Sequence, residues 1–356
     1  MLHIILLLGC AVAIYLACEW FINAVEWLGV QLKVGAVAVG TILAAVGTAL
    51  PESVVTLVAV TMGSGEHSKD IGVGAAMGGP LALATIAYGV SGFLLFTRRR
   101  RQAQARLAET AVAAGTWAGG ESAGRPAAGD DVFDGVDIDR LARDQRWFLA
   151  IFIVKVALGL VAFAFKPLLG LAFLAAYGVY FYREMRGTGD HASGDDLEPL
   201  KLQPTRAVPS SAAVIAQVLA TLAVIFAASQ LFVAQLEWAG PALGLPAAVV
   251  ALLLSPIATE LPEVMNAIIW IRQGKTQLAL ANISGAMMIQ ATVPSALGIF
   301  FTPWRFDGPL LVSGLVTMAV IVYLLVLMSR KALTAGRLAA SAAFYLVFGA
   351  SLFVLV

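Results

Sequence analysis

Charged side chains are scarce in this chain. Asp, Glu, Lys and Arg together make up 13% of its 356 residues, about half the share of an ordinary soluble domain. That is too little to cover a water-facing surface of this size; a net charge of +1 argues neither for nor against nucleic acid, but the Lys and Arg residues sit between apolar runs rather than on one basic face. Histidine is nearly absent, and His3, His67 and His191 lie outside the central apolar runs. With no H-E-x-x-H pair and no nucleophile elbow, hydrolytic chemistry lacks its residues, and no enzyme is expected. Cysteine is limited to Cys10 and Cys18, both in the first apolar run, where small core residues are a better reading than a disulfide or a metal site. Basic residues are missing ahead of that run, His3 being the one candidate charge before Glu19. The run is therefore read as a retained helix rather than a signal peptide.

What fills the chain instead is apolar sequence. Hydrophobic residues make up 60% and mean hydropathy is +0.87, the composition of a polytopic integral membrane protein. Apolar runs lie at about 2–28, 34–62, 71–96, 147–165, 168–182, 210–238, 245–271, 277–301, 309–328 and 336–356. They predict an all-α fold of ten transmembrane helices. Polar stretches divide the chain into helices 1 to 3 over 1–97, a polar loop over 98–145, helices 4 and 5 over 146–185, a linker over 186–209, and helices 6 to 10 over 210–356. The acidic part of the loop, Asp130 to Asp139, fails as an EF-hand. With Asp130 in first place, Val132 is third and Leu141 twelfth, where a ligand and a Glu are needed. A solvated loop that caps the next helix is the better reading.

Two short stretches break the apolar pattern. Gly47-Thr48-Ala49-Leu50-Pro51-Glu52-Ser53 puts a proline and a carboxylate into the second run, and Ala258-Thr259-Glu260-Leu261-Pro262-Glu263 does so again in the seventh. A carboxylate at the centre of a membrane helix costs about 2.5–3.5 kcal/mol on insertion scales, so it faces a polar cavity and binds something. Proline removes a backbone donor, so each helix is expected to break at its carboxylate and free carbonyls beside it. Carbonyls and a carboxylate at one depth make a cation site. A shift of 211 positions pairs Glu52 with Glu263, Phe21 with Phe232, Glu26 with Glu237, Trp27 with Trp238, Thr48 with Thr259 and Pro51 with Pro262. Five runs in each half force the second copy into the membrane upside down, the inverted repeat of many secondary transporters.

Basic residues gather in the loops on the side away from the N-terminus, which by the positive-inside rule places both termini outside the cytoplasm and both long connections inside it. Lys155, the one basic residue inside a run, reads as snorkelling to an interface, with pairing to a carboxylate as the alternative. Glu26 with Trp27 and Glu237 with Trp238 read as interfacial anchors, with a gate as the sharper alternative.

Both motif copies are followed by a Gly-rich helix, Gly72-Val-Gly-Ala-Ala-Met-Gly78 and Ala281-Asn-Ile-Ser-Gly285. Together these residues resemble the paired alpha repeats of the sodium/calcium exchangers in the calcium/cation antiporter superfamily. The resemblance implies that Glu52 and Glu263 are shared calcium and sodium ligands and that backbone carbonyls at Thr48 and Thr259 complete the calcium shell, which suits a hard cation taking six to eight oxygens. Ala49 and Glu260 stand where the family has serine. Leu83 and Gln290 stand where it has an amide or acid. Gln290 can supply an amide oxygen; Asn282 can too, or it can bond between helices. Three readings of Glu260 stay open: a third ligand, a proton carrier, or a vestibule charge. The implied function is a secondary active antiporter in a bacterial-type plasma membrane, exchanging Ca2+ for Na+ by alternating access and using no cofactor. Proton coupling in place of sodium is the alternative, and a passive cation channel a more distant one.

Overall fold

The computed structural model describes residues 2–35, 38–61, 66–116, 133, 135–163, 165–186, 197–242, 253, 256 and 259–355. Some side chains within these ranges, among them Glu52 and Glu237, and most of the Asp130 to Asp139 piece fall outside the description. All regular elements described are helical. Helix α1 covers Leu2–Leu32. A π-helical turn, Val39–Ala44, leads into α2, Ala45–Thr61. Helix α3, Glu66–Ala82, passes through a second π turn, Leu83–Ala87, into α4, Tyr88–Thr116. Next come α5, Ile138–Leu160, a 3-10 turn at Lys166–Leu168, and α6, Leu169–Arg186. The second half holds α7, Ser211–Ala242, α8, Leu261–Arg272, α9, Thr276–Phe301, α10, Gly308–Ser329, the short α11, Ala335–Ala339, and α12, Ala342–Leu355.

Six helical stretches among the described residues are long and apolar enough to cross a bilayer. Helices α5 and α6 are not among them, because α5 carries Arg140, Arg143, Asp144, Arg146 and Lys155, and α6 ends in Arg183-Glu184-Met185-Arg186. Asp137 does cap α5, its carboxylate accepting from the Arg140 N–H at 2.8 Å, so the acidic loop ends as its composition suggests. The four arginines from Arg98 do not stop α4, which continues to Thr116. Arginine is a good helix former, and a helix leaving the bilayer need not end there.

Burial separates a core from a periphery. In its most apolar window α9 is 83% buried against other elements, while the corresponding windows are 28% buried in α1 and 22% in the first half of α7. The last two pack chiefly on each other. Gln217 of α7 donates to the Trp20 carbonyl at 2.8 Å and to Asn23 Oδ1 at 3.1 Å. At the other end the His3 ring stacks on Trp238, with centroids 3.6 Å apart.

The anchor reading fails at Glu26 and Trp27. Trp27 is buried in protein and donates from Nε1 to the Glu198 carbonyl at 2.9 Å. Glu26 accepts from Trp270 Nε1 at 2.8 Å and pairs with Lys275 at 2.6 Å. Both partners come from distant sequence, which no local pattern reveals. Removing Lys275 leaves a buried carboxylate without its cation, whereas Glu26→Gln still offers Trp270 an acceptor. Lys275→Met is therefore expected to lower the melting temperature of the purified protein more than Glu26→Gln does, with the double variant recovering most of the difference. Equal, additive losses in the single variants would show that the pair is not coupled.

Candidate cation site

The second motif copy is built on the start of α8. Helix α8 begins at Leu261, after a turn at Glu260 (φ −85°, ψ 4°) that follows the helical Thr259, with Pro262 in its first turn, where the missing N–H costs nothing. Glu263 also lies in that first turn, where the helix dipole favours a negative charge. Its side chain is fully buried, and neither carboxylate oxygen has a hydrogen-bond partner among the described residues. One turn further on, Asn266 is also fully buried, and both its amide atoms lack partners there.

Helix α9 faces these groups. Asn282 donates from Nδ2 to the Glu263 backbone carbonyl at 3.5 Å, which leaves its Oδ1 without a partner. Gln290 donates from Nε2 to both oxygens of Glu260, at 2.8 and 2.7 Å, and its own Oε1 stays without a donor. Space for this pair comes from α3. A Cβ at Gly79 would lie 2.6 Å from Gln290 Oε1 and 2.7 Å from Glu260 Oε1, so glycine there lets the carboxylate and the amide reach the helix backbone. Helix α9 in turn approaches the π turn before α2 so closely that a Cβ at Gly285 would collide with the Thr41 backbone.

The first copy behaves differently from the second. A break at Pro51 was expected, but α2 runs unbroken from Ala45 to Thr61, and the irregularity is the π turn upstream of it. A proline inside a helix removes one N–H and so frees one carbonyl, here that of Gly47, without having to end the helix. Thr48 lies beside the Glu263 carboxylate but spends its hydroxyl proton on the Ala44 carbonyl at 3.1 Å. Thr259 likewise donates to the Pro256 carbonyl at 3.2 Å. The Glu52 side chain lies outside the described residues, so its meeting with Glu263 does too. Helix α1 flanks both copies: Phe21 fills the space over Gly47, and Cys18 Sγ is 3.8 Å from the Pro262 carbonyl oxygen. Both cysteines are free and buried.

The fold thus brings together Thr48, Glu263, Asn282 and, beside them, the Glu260–Gln290 pair. Sequence reading passed over Asn266, although it is a lone amide in the apolar stretch Val264-Met-Asn-Ala-Ile-Ile-Trp270, one turn from a motif glutamate, and that spacing was the available signal. Among the described residues no three acidic, histidine or cysteine side chains gather as a metal cluster. The set is instead carboxylate and amide oxygen without nitrogen or sulfur. Such donors suit a hard cation such as Ca2+ or Na+ rather than a transition metal. Buried oxygens left without donors are costly, and a cation offsets that cost directly.

Comparison with known proteins agrees with this chemistry. The chain matches the family described as sodium/calcium exchanger protein over residues 2–185 and 213–356. No curated protein matches it. Among solved structures it is similar to the sodium-calcium exchanger NCX_Mj soaked with 2.5 mM Na+ and 0.1 mM Ca2+, at 18% identity and TM-score 0.71, covering 99% of each chain. It is also similar to the same exchanger soaked without either ion, at 18% identity and TM-score 0.68, again over 99% of each chain. At that identity the likeness speaks for the fold.

Proposed function

Because this chain belongs to the sodium/calcium exchanger family, we propose that it carries Ca2+ and Na+ in opposite directions through one shared site, formed by Glu52 and Glu263 with Thr48, Thr259, Glu260 and Gln290. The protein is a membrane cation antiporter and not an enzyme. The observation that carries the site is Glu263, a fully buried carboxylate with two oxygens unpartnered among the described residues, in the first turn of a helix that begins at its motif.

The proposed frame is ten transmembrane helices in two inverted five-helix repeats, with both termini outside the cytoplasm and the connections over 98–145 and 186–209 inside it. Cross-packing supports the repeat. Gly78 of α3 meets Pro256, just ahead of the second motif, and its counterpart Gly285 of α9 meets Thr41, just ahead of the first. Competition drives the exchange: the glutamates hold either one divalent ion or its monovalent replacements, and an empty site, its carboxylates unpaired, does not cross the low-dielectric barrier as one bundle rocks against the other. No separate energy source is needed.

The test is calcium uptake into proteoliposomes driven by a sodium gradient, with the pH gradient collapsed by an ionophore. Uptake that follows the sodium gradient is expected. Uptake that vanishes with the pH gradient would assign the coupling to protons, and large unitary currents would make the protein a channel.

A further inference from the structure

Lys155 has no role in the site described above, yet it is the most unusual charge in the protein. It lies on α5 with no exposed surface, so it does not snorkel. The described ion pairs, Arg140–Glu184, Lys201 with Glu19 and Glu198, and Lys275–Glu26, leave it out. Its Nζ instead donates to the Ala76 carbonyl at 2.6 Å and sits 4.9 Å from the centre of the Phe152 ring, a geometry in which the ring face attracts a cation.

The reason that carbonyl is available lies four residues on. Pro80 is inside α3 and has no N–H, so the carbonyl at i−4, that of Ala76, loses its helical partner. A carbonyl freed within a transporter helix is the kind of ligand that binds a monovalent ion, and here an ammonium occupies it. One turn beyond Ala76 on the same helix, Gly79 meets Glu260 and Gln290. The ammonium and the carboxylate of the site therefore lean on neighbouring turns of one helix. Counted as fully ionised, the three glutamates of the proposed site, Glu52, Glu260 and Glu263, and Lys155 carry a formal charge of two negative, which one calcium ion or two sodium ions neutralise.

We propose that the Lys155 ammonium is a tethered monovalent cation, held on the carbonyl that Pro80 frees, and that it stands in for one transported sodium ion. It thereby sets how many sodium ions are exchanged per calcium. This rests on the exchange reading given above.

The experiment compares the unaltered protein with Lys155→Met in proteoliposomes at a clamped membrane potential. Calcium is held fixed on both sides, and the sodium gradient is varied to find where net calcium flux vanishes. That null gradient gives the number of sodium ions per calcium. With the tethered cation gone, a diffusible sodium ion takes its carbonyl in the sodium-loaded site and leaves it when calcium is bound, so the ratio is expected to rise by about one sodium per calcium. Folding is checked by elution profile and by a calcium-dependent thermal shift. Should the Met variant not fold, Lys155→Leu, a shorter apolar side chain that leaves the Ala76 carbonyl without a donor, takes its place. For a folded variant, a null gradient coinciding with that of the unaltered protein, or no flux at all, overturns the proposal. Failure of the exchange reading is seen separately, as the absence of sodium-driven flux in the unaltered protein.

Discussion

Glu263→Gln is expected to abolish sodium-driven calcium uptake while raising the melting temperature of the ion-free protein. The two effects have one cause. Glu263 is a fully buried carboxylate whose oxygens lack donors among the described residues, and a charge held that way destabilises the fold unless a counter-ion is bound. The amide removes the unpaired charge and keeps the volume, so the ion-free protein gains stability. It also removes a full negative charge from an oxygen set chosen for a hard cation, and calcium affinity is expected to fall about 100-fold or more, about 2.8 kcal/mol. Thermal melting with and without calcium reads both at once, as a higher baseline and a missing calcium shift. A variant that melts lower than the parent and still shifts with calcium would remove Glu263 from the site.

The second large effect is expected at Gly285. An alanine methyl there meets the Thr41 backbone and not the tip of a flexible side chain, so the neighbour cannot turn aside. The cost should reach or exceed the ~1–3 kcal/mol of ordinary overpacking, because α9, the most buried of the apolar stretches compared, would be pushed off the turn that leads into α2. Gly285→Ala is expected to be lost as aggregate in size-exclusion chromatography. The same change at Gly79 meets only the ends of Gln290 and Glu260 and is expected to leave a monodisperse protein. Normal elution of Gly285→Ala would show that the two helices are free to separate.

Much of this was legible in the sequence because it depends on periodicity and repetition. Apolar runs located helices such as α1, α9 and α10 to within a few residues, and the twice-written Thr-x-Leu-Pro-Glu pointed to the stretch where Glu263 comes to lie near Thr48. What stayed hidden depends on which distant residue stands opposite. Pro51 suggested a broken helix, but only the packing decides whether a helix ends at a proline or tolerates one freed carbonyl. Lys155 is indistinguishable by position from a snorkelling lysine until α3, with Pro80 in it, is laid against α5. Glu26 looked like a headgroup-depth residue because its neighbour is tryptophan, and its true partners lie some 250 positions away in the sequence. Asn266 was overlooked because its one-turn spacing from Glu263 becomes a signal only once that glutamate is taken as the centre of a site.

One small contact ties the interior of the protein to its edge. Helix α8 has twelve residues, about 18 Å of stiff rod. Glu263 occupies its first turn, and the Ile271 carbonyl in its last turn is gripped by Arg98 Nη1 at 2.9 Å. Arg98 opens the run of four arginines on α4. A strut clamped in this way passes force along its length, so an anionic surface that draws on those arginines would tug at Glu263 on the far end, and the ionic strength of the surrounding water would be felt inside the barrier.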